Sequence, residues 1–470
     1  MSNSYAKYAT RSPAEEFYRR LKPQGKRLIL SVDGGGSRGY ITLHCLAKLE
    51  ELTGKSCHEI FDFYVGTSTG SLIAAGLAVG MSAQTILHVY RSRIPEVFDE
   101  SKKAPFFTRL GIGIGAWLLN ITTSLQGGQL RKLKKYANLL ARHDWKYMYS
   151  HDKLKKICEE FLVDEKGKPF KLGELYERSV EASNGQHTKR LLVTIKDVQR
   201  SETLFVVNAG PGAGAFKNFP LPDAVVASSV PPIFLEPFGV WVDGGVGSYA
   251  NPCYEATVEA TEFFTGLRKP NYVLKHDDSA YHHSNVIHFS FGTGSQPNTI
   301  QSEEQVRDML FYDWLLYVIS EGHDDANNDQ VRLTEERFSR GNNWYTATVN
   351  HERVDFRRYQ LVLEPEVLVK PVSEGGLGMT LTVKDRELIR GLEMNSRRSE
   401  ELEIMKRVGK AWADAIGENF ARPHYPYVSE AEGYRPPASP PRRVPPRLQE
   451  YVDRRYPSSR DRSWGYHISL

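Results

Sequence analysis

Short apolar runs that end in glycine-rich turns recur along the chain, and each run has the length of a buried β-strand. Three strands with their turns are predicted: Arg27–Val32 before Asp33–Gly39, Phe61–Val65 before Gly66–Gly70, and Gly239–Val242 before Asp243–Gly245. Apolar residues at helical spacing follow the first turn from about Tyr40, and Gly54 is suited to end that helix. Strands that alternate with helices predict a three-layer αβα fold with a mostly parallel central sheet.

The second turn, Gly66-Thr67-Ser68-Thr69-Gly70, has the G-x-S-x-G pattern between an apolar strand and a small-residue helix. In that context the pattern predicts a sharp strand-to-helix elbow, in which Gly66 and Gly70 allow the tight backbone and Ser68 presents its hydroxyl as a nucleophile. The following helix would direct free N–H groups and the positive end of its dipole towards the same place. The pentapeptide alone also fits a loop that only reverses the chain.

The first turn, Asp33–Gly39, holds four glycines among its seven residues. Glycine adopts backbone angles that other residues resist, so such a loop can direct several N–H groups at one point, as an oxyanion hole requires. Gly34, Gly35 and Gly36 are the candidate positions. Arg38 adds a cation that could orient the loop or attract an anionic head group.

The same turn has a competing interpretation as a nucleotide site. Gly34, Gly36 and Gly39 fit G-x-G-x-x-G after a strand and before a helix, which is the context of a dinucleotide-binding turn. Such a site needs an acidic residue at the end of the next strand to meet the ribose. That strand ends at Val65 and leads into the serine turn, while Asp62 lies near its start, so the nucleotide hypothesis is the weaker alternative.

Asp243, followed by Gly244 and Gly245, is the candidate base for Ser68. A serine hydroxyl needs a base to accept its proton, and a carboxylate held at a strand end could do this directly. An ordinary aspartate, with a pKa of about 3.9, is a poor base. Burial would have to raise that pKa, and an oxyanion hole would have to lower much of the barrier. By itself, Asp-Gly-Gly also fits a plain turn.

Together the three turns resemble those of the patatin-like phospholipase family. Asp33–Gly39 matches the family's D-G-G-G-x-R-G loop, Gly66–Gly70 its G-x-S-x-G elbow, and Asp243–Gly245 its D-G-[GA] turn, in the same order. Weaker matches are Ala227-Ser228 before prolines and Phe291–Gly294 at a strand end. The clear resemblance covers residues 27–294, and a weaker one extends through a part predicted to be helical, residues 300–420.

The resemblance implies a lipid acyl hydrolase of the phospholipase A type. Ser68 would be the nucleophile and Asp243 the base of a Ser–Asp dyad, and the N–H groups around Gly35 and Gly36 would form the oxyanion hole. It implies glycerophospholipid substrates at a membrane surface, with no metal and no cofactor. Acyl transfer to another acceptor would use the same residues. Some bacterial relatives are switched on by a cyclic nucleotide, which makes such an activator a further hypothesis.

A Ser-His-Asp triad is the alternative to a dyad, and the chain has 14 histidines. None lies in an obvious catalytic turn. His288 lies within an apolar run and is predicted to be a core residue, His44 and His88 are predicted on helices, and His282-His283 is predicted as an exposed loop. The sequence leaves a distant histidine open as a third member.

The composition, 40% hydrophobic and 25% charged residues, is ordinary for a globular protein, and 470 residues suffice for one large domain or two. We predict an N-terminal extension over residues 1–24, a catalytic domain over 25–420 and a basic, proline-rich tail over 421–470. The tail has nine Arg, no Lys and five acids, which accounts for the formal net charge of +4. It is predicted to be flexible, either solvated or in contact with a membrane or a partner domain.

The cysteines are scattered and show no C-x-x-C spacing, which favours a reduced setting over a zinc site: Cys45, Cys57, Cys158 and Cys253. Residues 1–20 have no apolar signal-peptide segment, and no run reaches the roughly 18 apolar residues of a membrane span. We expect a cytoplasmic protein in peripheral contact with a membrane and without a nucleic-acid partner. The sequence does not indicate the oligomeric state.

Three further segments carry expectations of their own. Residues 104–135 join an apolar, glycine-containing part to a basic part, which fits either a mobile lid or a buried helix with a solvated charged face. Gly322–Asp329 offers oxygen atoms to a cation but lacks the calcium-loop pattern, so a polar cap or turn is favoured. Residues 383–420 are predicted as a long helical stretch with a solvated, charged face.

Overall fold

The computed structural model describes residues 12–98, 147–296, 306–309, 324–339 and 353–422. The strands are β1 Arg27–Val32, β2 Phe63–Gly66, β3 Tyr147–Tyr149, β4 Arg190–Asp197, β5 Glu202–Val207, β6 Ile233–Leu235, β7 Trp241–Asp243, β8 Val286–Phe291 and β9 Asp355–Tyr359. Seven of them form one sheet in the order β5-β4-β2-β1-β8-β9, with β7 also paired to β4. β3 and β6 pair separately.

The sheet is mostly parallel, as predicted. The pairs β1–β2, β1–β8, β2–β4 and β8–β9 are parallel, whereas β5 and β7 run antiparallel to β4. The strand before Asp243 was expected to be parallel like the other two, and this was wrong, because β7 runs antiparallel to β4.

Helices cover both faces of the sheet. The named α-helices are α1 Pro13–Leu21, α2 Gly39–Thr53, α3 Cys57–Ile60, α4 Thr69–Ala78, α5 Ala83–Val97, α6 Asp152–Phe161, α7 Leu172–Ser183, α8 Leu221–Ser228, α9 Cys253–Val258, α10 Pro365–Leu368, α11 Val383–Arg390 and α12 Ser399–Ile416. Residues 324–334 are also helical. Short 3₁₀ or π turns are Gly36–Arg38, Ala213–Ala215, Glu259–Phe264, Asp278–Tyr281, His283–Asn285, Glu335–Ser339, Val372–Glu374 and Gly417–Ala421.

The central strand β1 shows why the fold has three layers. All six of its residues are buried, as expected for a parallel strand covered on both faces. Leu28, Leu30 and Val32 belong to the larger hydrophobic cluster, with α2 and α4, whereas Ile29 belongs to a second cluster on the other face. Successive side chains of a strand point to opposite faces, so the two clusters mark the two layers of helices.

The first described helix, α1, packs against the larger hydrophobic cluster. Its apolar residues Phe17 and Leu21 are buried in the larger cluster. Just after it, the Lys22 ammonium lies 2.8 Å from the Asp62 carboxylate, which is itself buried before β2. Part of the predicted N-terminal extension therefore contributes to the core.

Two features of the C-terminal part differ from the sequence expectations. The part predicted to be helical also contains β9, whose residues Asp355-Phe356-Arg357-Arg358-Tyr359 lack an apolar pattern. Its buried arginine Arg357 is paired with Asp355, which compensates for the cost of burying the charge. The long helical stretch over 383–420 is interrupted, because α11 ends before Gly391 and α12 begins only at Ser399.

The His282-His283 pair was predicted to form an exposed loop, and this was wrong for His283. Its side chain is 4% exposed and its ring stacks on Phe338 at 5.9 Å between centroids. His44 and His88 lie on α2 and α5, as predicted.

Candidate active site

The strands β2 and β7 lie along the same edge of β4 and run towards each other. β2 pairs with the first half of β4 and ends with Gly66 opposite Val193. β7 pairs with the second half in the opposite direction and ends with Asp243 opposite Ile195. Only Thr194 separates the two strand ends along β4. The turns that follow β2 and β7 therefore meet, and this brings the predicted nucleophile and the predicted base together.

Ser68 occupies the sharp turn between β2 and α4, with φ 55° and ψ −127°. A positive φ is unfavourable for a residue with a side chain, and such strain is common at functional sites. A Cβ on Gly70 would lie 2.0 Å from the Val32 carbonyl oxygen, and one on Gly66 would lie 2.2 Å from the Gly70 carbonyl oxygen. Both elbow positions therefore require glycine, as predicted from the pattern.

Serine hydroxyls hold the backbone of this turn. The Ser68 N–H donates to Ser228 Oγ at 3.0 Å, and Ser229 Oγ donates to the Ser68 carbonyl at 2.9 Å. Ser71 Oγ donates to the same carbonyl at 2.7 Å. Ser228 belongs to the Ala-Ser segment noted in the sequence, but the role of Ser229 was missed. The contacts fix the strained conformation that places the Ser68 side chain.

The Asp243 carboxylate accepts a hydrogen bond from the Gly245 N–H at 2.8 Å, and the Ser68 side chain lies close enough to interact with it. Burial raises the pKa of Asp243 to about 6, although the Ser68 side chain and the Gly245 N–H lower it. Its turn also requires glycine at Gly244, because a Cβ there would lie 2.3 Å from the Thr194 carbonyl oxygen. The group that the sequence suggested as a weak base thus has a raised pKa.

The glycine loop passes directly beside the serine. A Cβ on Gly34 would lie 3.2 Å from the Cβ of Ser68. The Gly34 N–H donates to the Ala250 carbonyl at 2.8 Å, and its carbonyl accepts from Thr293 Oγ1 at 2.7 Å. The loop is therefore held against the elbow by the segments that follow β7 and β8.

Most N–H groups of the loop are already used within the protein. The Ser37 N–H donates to the Met394 carbonyl at 2.7 Å, and the Arg38 N–H donates to the Gly35 carbonyl at 3.2 Å. Within the described part of the chain, the N–H groups of Gly35 and Gly36 have no hydrogen-bond partner. These adjacent donors, next to Ser68, remain available for an anion.

Two residues from the C-terminal part support this loop and were missed in the sequence. Arg358 on β9 donates to the Asp33 carboxylate and also to Ser290 Oγ at 2.9 Å. Met394, in the connection between α11 and α12, supplies the carbonyl that accepts from Ser37. Neither lies in a recognisable motif, and a polar strand and a loop carbonyl leave no local signal in a sequence.

Arg38 lies in the 3₁₀ turn Gly36–Arg38 that leads into α2. Its side chain is partly exposed, but within the described residues its buried Nε atom has no hydrogen-bond partner. Burial lowers the pKa of this guanidinium, and the charge of Asp324 opposes that effect. Arg38 is thus near the candidate site, and its role as a cation for a head group stays a prediction.

The histidines do not complete a triad in the described structure. His288 is fully buried; its ring nitrogens lie 2.9 Å from Thr257 Oγ1 and 2.8 Å from Ser31 Oγ. Burial lowers its pKa to about 3, so it is neutral, as expected for the core residue that the sequence predicted. Among the described residues, no histidine hydrogen-bonds Ser68 or Asp243.

The geometry also disfavours the dinucleotide interpretation. The N–H groups of Gly34 and Ser37, which would face phosphates, donate to protein carbonyls. Asp62, the only acid of the β2 segment, lies at the other end of that strand, where it accepts from the Leu28 N–H and pairs with Lys22. No acidic residue of β2 is therefore placed to meet a ribose.

Other sequence expectations fall partly outside the described structure. The segment 104–135 and most of the tail, residues 423–470, lie beyond it. Of the Gly322–Asp329 cluster, residues 324–329 are described and are helical, and the described residues contain no group of three or more His, Cys, Asp or Glu that could hold a metal. None of the described helices has the length and apolar character needed to cross a bilayer.

Comparison with known protein families supports the family resemblance of the three turns. Residues 30–257 match the family model described as Patatin-like phospholipase. The chain contains a patatin-like phospholipase domain. The matched range includes the glycine loop, Ser68 and Asp243, whereas β8, β9 and the connection that carries Met394 follow it.

Three curated relatives illustrate what this patatin-like domain is similar to. It is 38% identical over 97 residues to the cGAMP-activated phospholipase of Vibrio cholerae (19% of this chain, 27% of the relative). It is 37% identical over 76 residues to the cUMP-AMP-activated phospholipase of Escherichia coli (16% of this chain, 24% of the relative). It is 42% identical over 82 residues to the human calcium-independent phospholipase A2-gamma (17% of this chain, 10% of the relative). The chain thus matches about a quarter or less of the length of these relatives.

Proposed function

We propose that this protein is a lipid acyl hydrolase of the phospholipase A type, which cleaves acyl esters of glycerophospholipids through Ser68 and Asp243. The observation that carries the proposal is the meeting of the turns after β2 and β7, which brings a strained Ser68 beside a buried Asp243 whose pKa is raised to about 6. A base with a pKa near the working pH transfers protons more effectively than an ordinary aspartate. The family match and the phospholipase relatives support the substrate class.

In the proposed reaction, Ser68 Oγ attacks the acyl carbonyl carbon while Asp243 accepts the hydroxyl proton. The resulting tetrahedral oxyanion would receive hydrogen bonds from the free N–H groups of Gly35 and Gly36. Collapse of this intermediate breaks the ester bond, and the proton on Asp243 passes to the departing lysophospholipid oxygen. Water then attacks the acyl-serine with the same base, which releases the fatty acid and restores Ser68.

The test is release of fatty acid from mixed phosphatidylethanolamine and phosphatidylglycerol vesicles by the wild type, Ser68→Ala and Asp243→Asn. We expect Ser68→Ala to lower the rate by a factor on the order of 10⁴ or more, because the nucleophile is removed. Ser92→Ala and Asp414→Asn are matched controls, since Ser92 lies on exposed helix surface and the Asp414 side chain is 69% exposed.

A fluorophosphonate probe gives a second measurement that does not require the natural lipid. The probe forms a covalent bond with an activated serine, so it should label the wild type and both controls at Ser68. Labelling that persists in Ser68→Ala, or lipid cleavage that persists in that variant, would refute the proposed nucleophile. Retained activity in Asp243→Asn would refute the proposed base.

Acyl transfer to an alcohol would use the same Ser68 and Asp243, because only the second attacking group differs. The two reactions are separated by adding glycerol or a lysophospholipid to the vesicle assay. New acylated glycerol at the expense of free fatty acid would identify a transferase, whereas fatty acid as the sole acyl product identifies a hydrolase.

A cyclic nucleotide is the proposed activator. Its support is that two bacterial relatives are named as phospholipases activated by cGAMP and by cUMP-AMP. The vesicle assay is therefore performed with each of these nucleotides and without them. A rate that rises with one of them supports the activator, and equal rates under all conditions contradict it while leaving the hydrolase itself testable through the fluorophosphonate label.

A further inference from the structure

A second concave site lies at the sheet edge opposite to Ser68. It has a volume of about 520 Å³ and is lined by the segment after β5 and by residues 268–275, including Pro211, Lys269, Tyr272 and Lys275. β5 runs antiparallel to β4 and ends with Val207 opposite Leu192, near the start of β4. The cavity is therefore at the amino-terminal edge of the parallel strands, whereas the candidate active site is at their carboxyl-terminal edge.

The cavity is strongly cationic. Arg268, Lys269 and Lys275 line it, and residues 267–275 contain no acidic residue. Lys269 and Lys275 are exposed and form no ion pair with any residue in the described ranges. Arg268 is held by a hydrogen bond from its Nε to the buried Glu262. Two exposed ammonium groups thus flank a guanidinium that is paired with Glu262.

A second acidic group beside this segment, Asp278, is also committed to the fold. Asp278 accepts from the Tyr272 hydroxyl at 3.0 Å, from the Lys275 N–H at 2.7 Å and from Arg190 at 2.8 Å. These bonds fix Tyr272 at the cavity wall and leave the Lys275 ammonium unpaired. The cavity therefore offers cations, a held aromatic ring and the apolar surface of Pro211, without a competing carboxylate in its lining.

We propose that this cavity binds a phosphate ester, with the phosphate between Lys269, Lys275 and Arg268 and with the rest of the ligand against Tyr272. A volume of this size lies within the range of small-molecule sites. Ammonium and guanidinium groups are the usual partners of phosphate in proteins. Two sources share this chemistry: a nucleotide from solution, whose base would pack on Tyr272, and a phospholipid head group, for which the exposed Val273 and Leu274 would contact the acyl region.

A single helical segment connects the cavity with the candidate active site. It comprises α9 and the π turn Glu259–Phe264, and its 12 residues span roughly 17 Å. Just before it, Ala250 accepts from the Gly34 N–H of the glycine loop; near its end, Glu262 accepts from Arg268. Phe264 packs on Phe63, the first residue of β2, at 5.1 Å between ring centroids.

Through this connection, a ligand in the cavity would shift the helical segment and so change the rate of ester cleavage. This part of the inference rests on the proposed function. A phosphate that draws Arg268 away from Glu262 would alter the end of the segment whose start positions Gly34. π turns inside helices are frequent at functional sites, because their extra residue allows the helix to shift. We infer that occupation of the cavity changes the rate of ester cleavage without contact with the substrate.

Binding is tested first, and without any lipid substrate, so that its result is independent of the hydrolase. Isothermal titration calorimetry of the whole protein with cGAMP, AMP and inorganic phosphate, and sedimentation with phosphatidylglycerol against phosphatidylcholine vesicles, separate the two sources. We expect saturable binding either to a soluble phosphate compound or to the vesicles. The affinity should be at least about tenfold lower in the double variant Lys269→Ala/Lys275→Ala. Lys370→Ala, at an exposed lysine that does not line the cavity, is the matched control and should bind like the wild type.

The binding measurements can identify the ligand of the cavity or overturn the proposed site. Nucleotide binding that is lost in the double variant identifies a soluble ligand, and vesicle binding lost in that variant identifies a head group. Binding to none of the probes, or binding that is equal in the double variant and the wild type, overturns the site. If binding is confirmed but the fluorophosphonate label shows no change in reactivity on addition of the ligand, the site stands and its effect on the reaction is refuted.

Discussion

The Arg358 guanidinium donates to both carboxylate oxygens of Asp33, with Nη1–Oδ1 at 2.9 Å and Nη2–Oδ2 at 2.5 Å. Asp33 begins the glycine loop, and Arg358 lies on β9, 325 residues later in the chain. Their parallel, two-bond geometry restricts rotation of the carboxylate more than a single contact would. The loop beside Ser68 is thus anchored by a residue that lies outside the matched family range.

We expect Arg358→Met to destabilise the protein by about 3–5 kcal/mol, because a buried Asp33 carboxylate would lose its partner. Arg358→Lys should recover only part of this loss, since an ammonium cannot make two parallel bonds. Urea unfolding measures both changes. Arg386→Ala removes an exposed pair with Glu366 and should cost less than about 1 kcal/mol. Equal losses for Arg358→Met and Arg386→Ala would contradict the anchoring role.

The rate of ester cleavage should depend on the ionisation of Asp243. Its pKa is raised to about 6, and only the ionised form can accept the Ser68 proton. Below this pKa, kcat/KM should therefore fall about tenfold for each pH unit, and above it the value should be level. Hydrolysis of p-nitrophenyl butyrate from pH 4.5 to 8 measures this without a titrating substrate. An acid limb centred near pH 4, the value of an ordinary aspartate, would contradict the raised pKa.

The free energy of unfolding should also depend on the ionisation of Asp243, but ionisation lowers the stability although it is needed for the reaction. The folded state holds the Asp243 proton up to about pH 6, whereas the unfolded chain loses it near pH 4, so wild-type stability falls as the pH rises through this window. Asp243→Asn cannot ionise and escapes this loss. Its stability relative to the wild type should therefore increase by about 2 kcal/mol between pH 4.5 and pH 7.5.

Urea unfolding of Asp243→Asn and the wild type at pH 4.5 and 7.5 measures that difference. Asp414→Asn, at an exposed position, should show the same stability difference from the wild type at both pH values. If Asp243→Asn also keeps one constant difference, burial does not raise the pKa of Asp243 in the folded protein.

Gly36→Ala should impair the reaction more than the fold. Gly36 has φ +58°, and a Cβ there would lie 2.1 Å from the Met394 carbonyl oxygen, so the loop must move away from its support. We expect a loss of about 1–3 kcal/mol in stability and at least a tenfold lower kcat, because the free N–H groups are displaced. Gly375→Ala has a similar strain, with φ +79°, but open space around the Cβ. It should lose about 1–2 kcal/mol and keep its kcat; equal kcat values for the two variants would contradict this account.

The sequence was most informative where local chemistry determines structure. β1, β2 and the elbow were predicted because an apolar run and close-packed glycines leave a local pattern. Ser68 and Asp243 were proposed from the same turns, which the structure brings together. The antiparallel direction of β7 was missed, because a three-residue strand looks the same in either direction. β9 was missed because its charged residues are buried only through pairing with distant partners, as between Arg358 and Asp33. The burial of His283 likewise depends on contact with Phe338, which no local pattern encodes.

The pairing of β1 has a consequence for the time at which the site forms. β1 carries the glycine loop, but its partner on one side is β8, which begins at Val286, and its loop is held by the carbonyl of Met394. A ribosome adds about 5–20 residues per second, so roughly 20 to 70 s separate the synthesis of Gly34 from that of Met394. A nascent chain therefore carries Ser68 for much of its synthesis before the loop beside it is secured. Completion of the candidate site is tied to completion of most of the polypeptide.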